Sequence, residues 1–286
     1  MGKITWLLKK RLRNQDPKME KLNGVFLALT VIATFTLIVY IGLKLTHIYL
    51  GIFVYIALAA LTLKSTICIK LETNWGLAAS KAIKAGNLVE ARKFAHFSRR
   101  DPAKLDGSQI ASSVIESIAE NLTDFKLSPL FYYFLFGVPG AIAFRAINTL
   151  DGMVGFKDPE NINIGWFSAK LDTLANYVTT RLTTLLIILA SALLGEDYKN
   201  AWKIAKRDQS KVPSRNHGWP MAAIAGALNV QLEKPGYYMV GDKKHEVSHE
   251  HILKTIKIRD TAMILFIALF GFPIMILSNL ILGMWI

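Results

Sequence analysis

The chain has 286 residues, 52% hydrophobic and 19% charged, with a mean hydropathy of +0.32, which excludes a disordered chain and exceeds an ordinary soluble domain. Its 34 Lys and Arg stand against 21 Asp and Glu, so the apolar excess must lie in blocks that exclude charge, with basic residues between them, as in a membrane protein. The single cysteine, Cys68, excludes an intrachain disulfide and a cysteine zinc cluster.

No Gly/Ser/Pro-rich linker or fixed-period repeat divides the sequence, which reads as a single integral membrane domain over residues 1–286. The expected fold class is all-α: a polytopic membrane protein with 3–5 transmembrane helices plus amphipathic, interfacial helices. The first 23 residues hold seven Lys or Arg and lead to no small-residue cleavage site, so they are not a signal peptide, and the N-terminus is expected in the cytoplasm.

Residues 24–43 are uncharged and long enough to cross about 30 Å of hydrocarbon. A second uncharged run, 45–63, predicts a hairpin turning near residues 42–46 with Lys44 at its tip. Segment 64–126, with ten Lys or Arg, then falls on the cytoplasmic side, as does 196–260 with twelve. Within the first, 74–97 reads as amphipathic helices broken at Gly86 and able to rest on the bilayer.

A helix from about Ser108 places Glu116, Glu120 and Asp124 on one stripe at i, i+4, i+8. Like charges so arranged repel, so either water screens them or a cation gathers them. The uncharged run 127–144 carries Pro129, Gly137, Pro139 and Gly140, and 182–195 is short; each is read as spanning, re-entrant or buried. Between them Arg145, Asn148 and Asp151 share a helical face, Asp172 and Asn176 lie one turn apart, and Arg181 comes five residues later. The plainest use of these groups is pairing of Arg145 and Arg181 with Asp151 and Asp172. The charge of 145–181 is balanced and gives no sidedness.

Residues 207–220 form a Pro- and Gly-broken basic loop that suits phosphate or anionic lipid contact. His245-Glu246-Val247-Ser248-His249 fits a zinc-protease pattern but comes after a turn with no apolar face, and Ser248 reads as the N-cap of the helix entering a last span, 261–286, bent near Pro273. Neither a P-loop nor a dinucleotide fingerprint is present. Basic residues flank the spans as topology requires, so no nucleic acid partner is expected.

From about Ala91 to Asp242 the chain resembles the adenosylcobinamide-phosphate synthase family, the CobD/CbiB-type membrane proteins of cobalamin biosynthesis. The resemblance runs through SRRD (98–101), ESIAENLTDFKLSPLFY (116–132), AFRAINTLDGMVGF (143–156), GWFSAKLDTLANYVTTRLT (165–183) and DQSKVPSRNHGWPMAAIAGALNV (208–230). It implies ATP-dependent joining of adenosylcobyric acid to an aminopropanol phosphate, or a related amino alcohol, and a further apolar segment with a Gly-Asp-Pro motif ahead of residues 1–4.

On this resemblance ATP activates the acid and Mg²⁺ is held by Glu116, Glu120 and Asp124 with Asp151 or Asp172. Glu120 is alternatively the general base on the ammonium. Arg100, Arg145, Arg181, Lys211 and Arg215 would neutralise phosphate, and Asn121, Asn148, Asn176 and Asn216 would orient corrin amides and hydroxyls. Partners are these substrates, the lipid bilayer and a second copy in a homo-oligomer. Other readings are a transporter or channel for a charged solute, or a non-catalytic scaffold for corrin enzymes.

Overall fold

A computed structural model describes residues 1–95, 102–214 and 216–282. The fold is all-α apart from one two-stranded sheet, as expected for a polytopic membrane protein. Among the described residues four helical stretches are long and apolar enough to cross a membrane: Pro17–Lys84, Gly107–Val154, Trp166–Leu193 and His249–Ile281. The chain groups into two compact units. The first comprises Met1–Ile67, Ser128–Asn176 and the described part of Gly271–Ile286; the second comprises the described parts of Cys68–Leu127 and Tyr177–Phe270.

In the first unit, helix α1 (Gly2–Leu12) packs Leu8 and Leu12 onto a core of Leu27, Ala28, Val31, Leu150 and Ile164. Helix α2 (Pro17–Thr66) starts with Asp16 accepting from the Lys18 N–H and with Pro17 at its first position. Gly24 lets α2 approach the Ile164 carbonyl, which a Cβ would meet at 2.1 Å.

The hairpin turns at Gly51, not near residues 42–46. Gly51 has φ 79°, and the His47 and Tyr55 rings lie 5.3 Å apart, whereas eight residues of unbroken helix would separate them by about 12 Å. Thr46 Oγ1 donates to the Gly42 carbonyl and keeps the expected turn helical. Lys44 marked the wrong position because a long cationic side chain can extend toward water from within a helix.

Helix α6 (Ser128–Val154) also doubles back. Phe136 and Gly137 leave helical geometry, and Tyr132 stacks on Phe144 at 5.3 Å where a continuous helix would hold them about 18 Å apart. The arm before the break rises only about 12 Å, so run 127–144 is a folded hairpin and not one crossing rod. Gly140 permits the fold, since a Cβ there would lie 2.5 Å from the Tyr132 carbonyl. Tyr132 is tied to the Ala175 carbonyl at 3.0 Å, and Ser278 of helix α11 (Phe272–Leu282) donates to the Phe134 carbonyl at 2.9 Å.

The second unit contains helices α3 (Lys70–Lys84) and α4 (Leu88–Arg92), separated at Gly86 with φ 68°. Helix α5 (Gly107–Leu122) is capped by a reciprocal Asp106–Gln109 pair and passes into a π-helical turn, Thr123–Leu127. Apolar run 182–195 falls largely within helix α7 (Trp166–Leu193), whose Thr183 and Thr184 return hydroxyls to carbonyls four residues back. Helices α8 (Tyr198–Asp208) and α9 (Gly218–Leu228) pack closely because Gly226 meets the Asn200 carbonyl.

Strands β1 (Gln231–Lys234) and β2 (Tyr238–Gly241) form an antiparallel hairpin that the sequence pattern does not announce. Helix α10 (His249–Phe266) begins with the expected Ser248 cap, closed by a box with His251. A π turn, Ile267–Gly271, precedes Pro273, whose ring has no N–H for the regular ladder.

Candidate functional site

The polar groups fall into two sets, one in each unit. In the second unit α5 carries Glu116 and Glu120 one turn apart. Glu116 is 2% exposed and accepts from Ser112 Oγ and Tyr238 Oη, each at 2.7 Å. Ser112 also accepts from the Glu233 N–H at 2.9 Å, and Gln109 Nε2 donates to Glu233 Oε1 at 3.0 Å, so the β-hairpin is pinned along the acidic helix.

Asp124 is the second residue of the π turn that follows α5, and Glu120 is within electrostatic reach of both it and Glu116. Asp124 Oδ2 lies 3.0 Å from Nε2 of His217, the N-cap of α9. Glu120 faces His217, Glu116, Asp124 and Lys234.

Arg181 stacks on Tyr177, with its guanidinium carbon 3.6 Å from the ring centroid, and faces Trp219 at 5.7 Å. It donates to Asn216 Oδ1 at 3.3 Å, so two expected anion or substrate contacts are brought together. Lys211 instead pairs with Asp208 at 2.8 Å. Asp208 is fully buried, bonded by Arg207 and by the Gly241 N–H at 2.8 Å. Burial pushes its carboxyl up, but the bonds from Arg207, Lys211 and Gly241 outweigh that and bring it down to about 2. Asn121 offers its backbone carbonyl to Lys126 at 3.4 Å.

Lys126, 0% exposed, pairs with Glu72 at 2.7 Å, and Glu72 with Arg259 at 2.9 Å. This buried ionic group anchors the π turn that bears Asp124.

In the first unit Arg145 donates to Asn148 Oδ1 at 2.9 Å, and Asn148 to Asp172 Oδ1 at 3.4 Å. Asn176 Nδ2 reaches both Asp172 oxygens at 3.2 Å, and Ser128 Oγ donates to Asn176 Oδ1 at 2.7 Å. Arg145 thus approaches Asp172 through Asn148. Asp151 sits in the last turn of α6 against Gly155, where a Cβ would come within 2.0 Å of its Oδ1. Arg100 and Arg215 lie outside the described residues.

Among the described residues no group of three His, Cys, Asp or Glu is arranged to hold a metal by itself. His245 sits in an isolated bridge with Val230 and His249 opens α10, so the zinc-protease pattern does not lie on one helix. Sequence reasoning missed His217, Tyr238, Ser112 and the Glu72–Lys126–Arg259 group, all joined to their partners by long-range contacts.

Apolar helical stretches carrying buried clusters of charge define a multi-pass membrane protein with a built polar site. The family model described as CobD/Cbib protein matches residues 1–266, and the chain belongs to this family of cobalamin-biosynthesis proteins. It is similar to the probable cobalamin biosynthesis protein CobD of Methanothermobacter thermautotrophicus, 37% identical over 86% of this chain and 82% of the relative. The corresponding protein of Thermoplasma volcanium is 35% identical over 96% and 89%. The cobalamin biosynthesis protein CobD of Clostridium perfringens is 35% identical over 89% and 84%. No solved structure matches the chain.

Proposed function

We propose that this chain is an ATP-dependent acid–amine ligase that joins adenosylcobyric acid to an amino-alcohol phosphate, giving adenosylcobinamide phosphate. The observation that carries the reading is Glu120, half-enclosed on α5 and faced by His217, Glu116, Asp124 and Lys234. Amide formation needs an activated acid and a deprotonated amine, and the second need is met by a carboxylate base within reach of the ammonium. Glu120 takes the ammonium proton as the amine attacks; His217, held by Asp124, lies beside it to receive or share that proton.

ATP would activate the acid by transferring phosphate to its carboxylate, and that phosphate would leave as the amine nitrogen bonds to the carbonyl carbon. Mg²⁺ fits the carboxylate chemistry here, because it takes one or two carboxylates and completes its shell with phosphate oxygens and water, so no dedicated three-residue cage is needed. Asp124 and Glu116 would hold it, and it would neutralise phosphate charge. Arg181, oriented by Asn216 and by stacking, binds phosphate in the second unit. In the first unit the amides of Asn148 and Asn176, set by Asp172 and Ser128, offer neutral recognition suited to the amide-rich corrin. The excess of Lys and Arg before the first span supports a cytoplasmic N-terminus.

The test incubates detergent-solubilised protein with adenosylcobyric acid, aminopropanol phosphate, Mg²⁺ and ATP and measures the amide by mass, with ethanolamine phosphate and free aminopropanol as parallel amines. Product that requires ATP is expected. No product with any amine, together with solute uptake into vesicles, would turn the assignment to transport.

A further inference from the structure

Helix α1 divides its cations between two faces. Lys9 turns inward to Asn161 Oδ1 at 2.7 Å, on the side where Thr5 is fully buried and Leu8 and Leu12 enter the core. The opposite arc carries Lys3, Lys10 and Arg11, all exposed, interleaved with Ile4, Trp6 and Leu7 at 41%, 56% and 52% exposure. Lys10 Nζ sits 5.7 Å from the Trp6 ring centroid. There is no acidic residue in the helix.

The depth of this face is set by its neighbours. Leu8 and Leu12 pack beside Leu27, Ala28 and Val31, in the first turns of the uncharged run that begins at Gly24. The Leu12 carbonyl accepts from Asn23 Nδ2 at 2.7 Å. The helix therefore lies where α2 enters hydrocarbon, at the level of lipid headgroups, where Trp and Lys are favoured.

We propose that the outer face of α1 is a docking surface for anionic phospholipid headgroups, with Ile4, Trp6 and Leu7 inserted at the acyl boundary and Lys3, Lys10 and Arg11 on the phosphates. Charge complementarity selects this occupant. A second copy meeting this face about a two-fold axis would set three cations against three cations with no carboxylate on either helix to relieve them. The inference stands apart from the reaction proposed above.

The test places the full chain, with Cys68→Ser and Leu7→Cys, in nanodiscs of phosphatidylcholine alone or mixed with phosphatidylglycerol, and measures labelling by a membrane-impermeant maleimide. Each basic residue near an anionic surface shifts docking roughly fivefold. With three such residues, labelling is expected to slow about a hundredfold when phosphatidylglycerol is added, and high salt should reverse this without any change in the charged residues. Lys3→Gln, Lys10→Gln and Arg11→Gln together should abolish the lipid dependence. Equal labelling in the two lipids would overturn the proposal. So would protection that tracks protein density with cross-linked pairs, which would assign the face to a second copy.

Discussion

The buried polar sets of the two units differ in how they meet the cost of burial. In the first, Asp172 accepts from the amides of Asn148 and Asn176, which link it to Arg145 and Ser128. In the second, Glu116, Glu120 and Asp124 lie within electrostatic reach of one another, countered by His217 and Lys234. A network of amides fixes geometry, whereas a carboxylate crowded by others takes up a proton more readily. On the proposed reaction, recognition falls to the first set and proton transfer to the second.

The largest effect that would break this division is loss of the base. Glu120→Gln keeps the shape and is expected to lower the rate of amide formation by about 10²–10⁴-fold, measured by product mass on protein whose circular dichroism is unchanged. A variant with wild-type turnover would remove Glu120 from the mechanism.

Next in size is Asp208→Asn, which leaves Arg207 and Lys211 without their buried carboxylate. Thermal melting in detergent should register a loss of about 2 kcal/mol, because Arg207 and Lys211 are partly exposed and Arg207 keeps Asp242. Because the folded Asp208 sits at about 2 and the unfolded group at 3.8, its contribution is full above pH 4 and disappears as pH falls through about 2. That contribution is about 2 kcal/mol, so the melting difference between wild type and variant should narrow in acid.

Asp172→Asn sharpens the comparison from the other side. If the first unit recognises and does not react, this variant should raise KM roughly tenfold with little change in kcat. A fall in kcat alone would move Asp172 into the chemistry.

Much of the scaffold could be read from the residues, because spans and caps are local. The charge-free run from Gly24, the Ser248 cap and the break at Gly86 each depend on a few adjacent side chains. The pairs Arg145/Asn148 and Asp172/Asn176 were visible because a helix turns their spacing into contact.

Lys44 draws the expected turn away from Gly51 because a charge interrupts the apolar run, whereas a left-handed glycine leaves no mark on hydropathy. The β-hairpin was missed although Pro235-Gly236 is a turn signal, with Gly236 at φ 77°, since four-residue strands are too short to show alternation. His217 and Asp124 are 93 positions apart, and Glu72 and Arg259 are 187 apart, so no local pattern announces either pair.

The measurement that bears most directly on the central claim is a double-mutant cycle on ATP-dependent amide formation with Glu120→Gln, His217→Asn and the two combined. Groups that move one proton as a unit should give strongly non-additive losses, with the double variant about as slow as the slower single one. Losses that simply multiply would show that Glu120 and His217 act independently and that the carboxylate–histidine cluster is not the reacting centre.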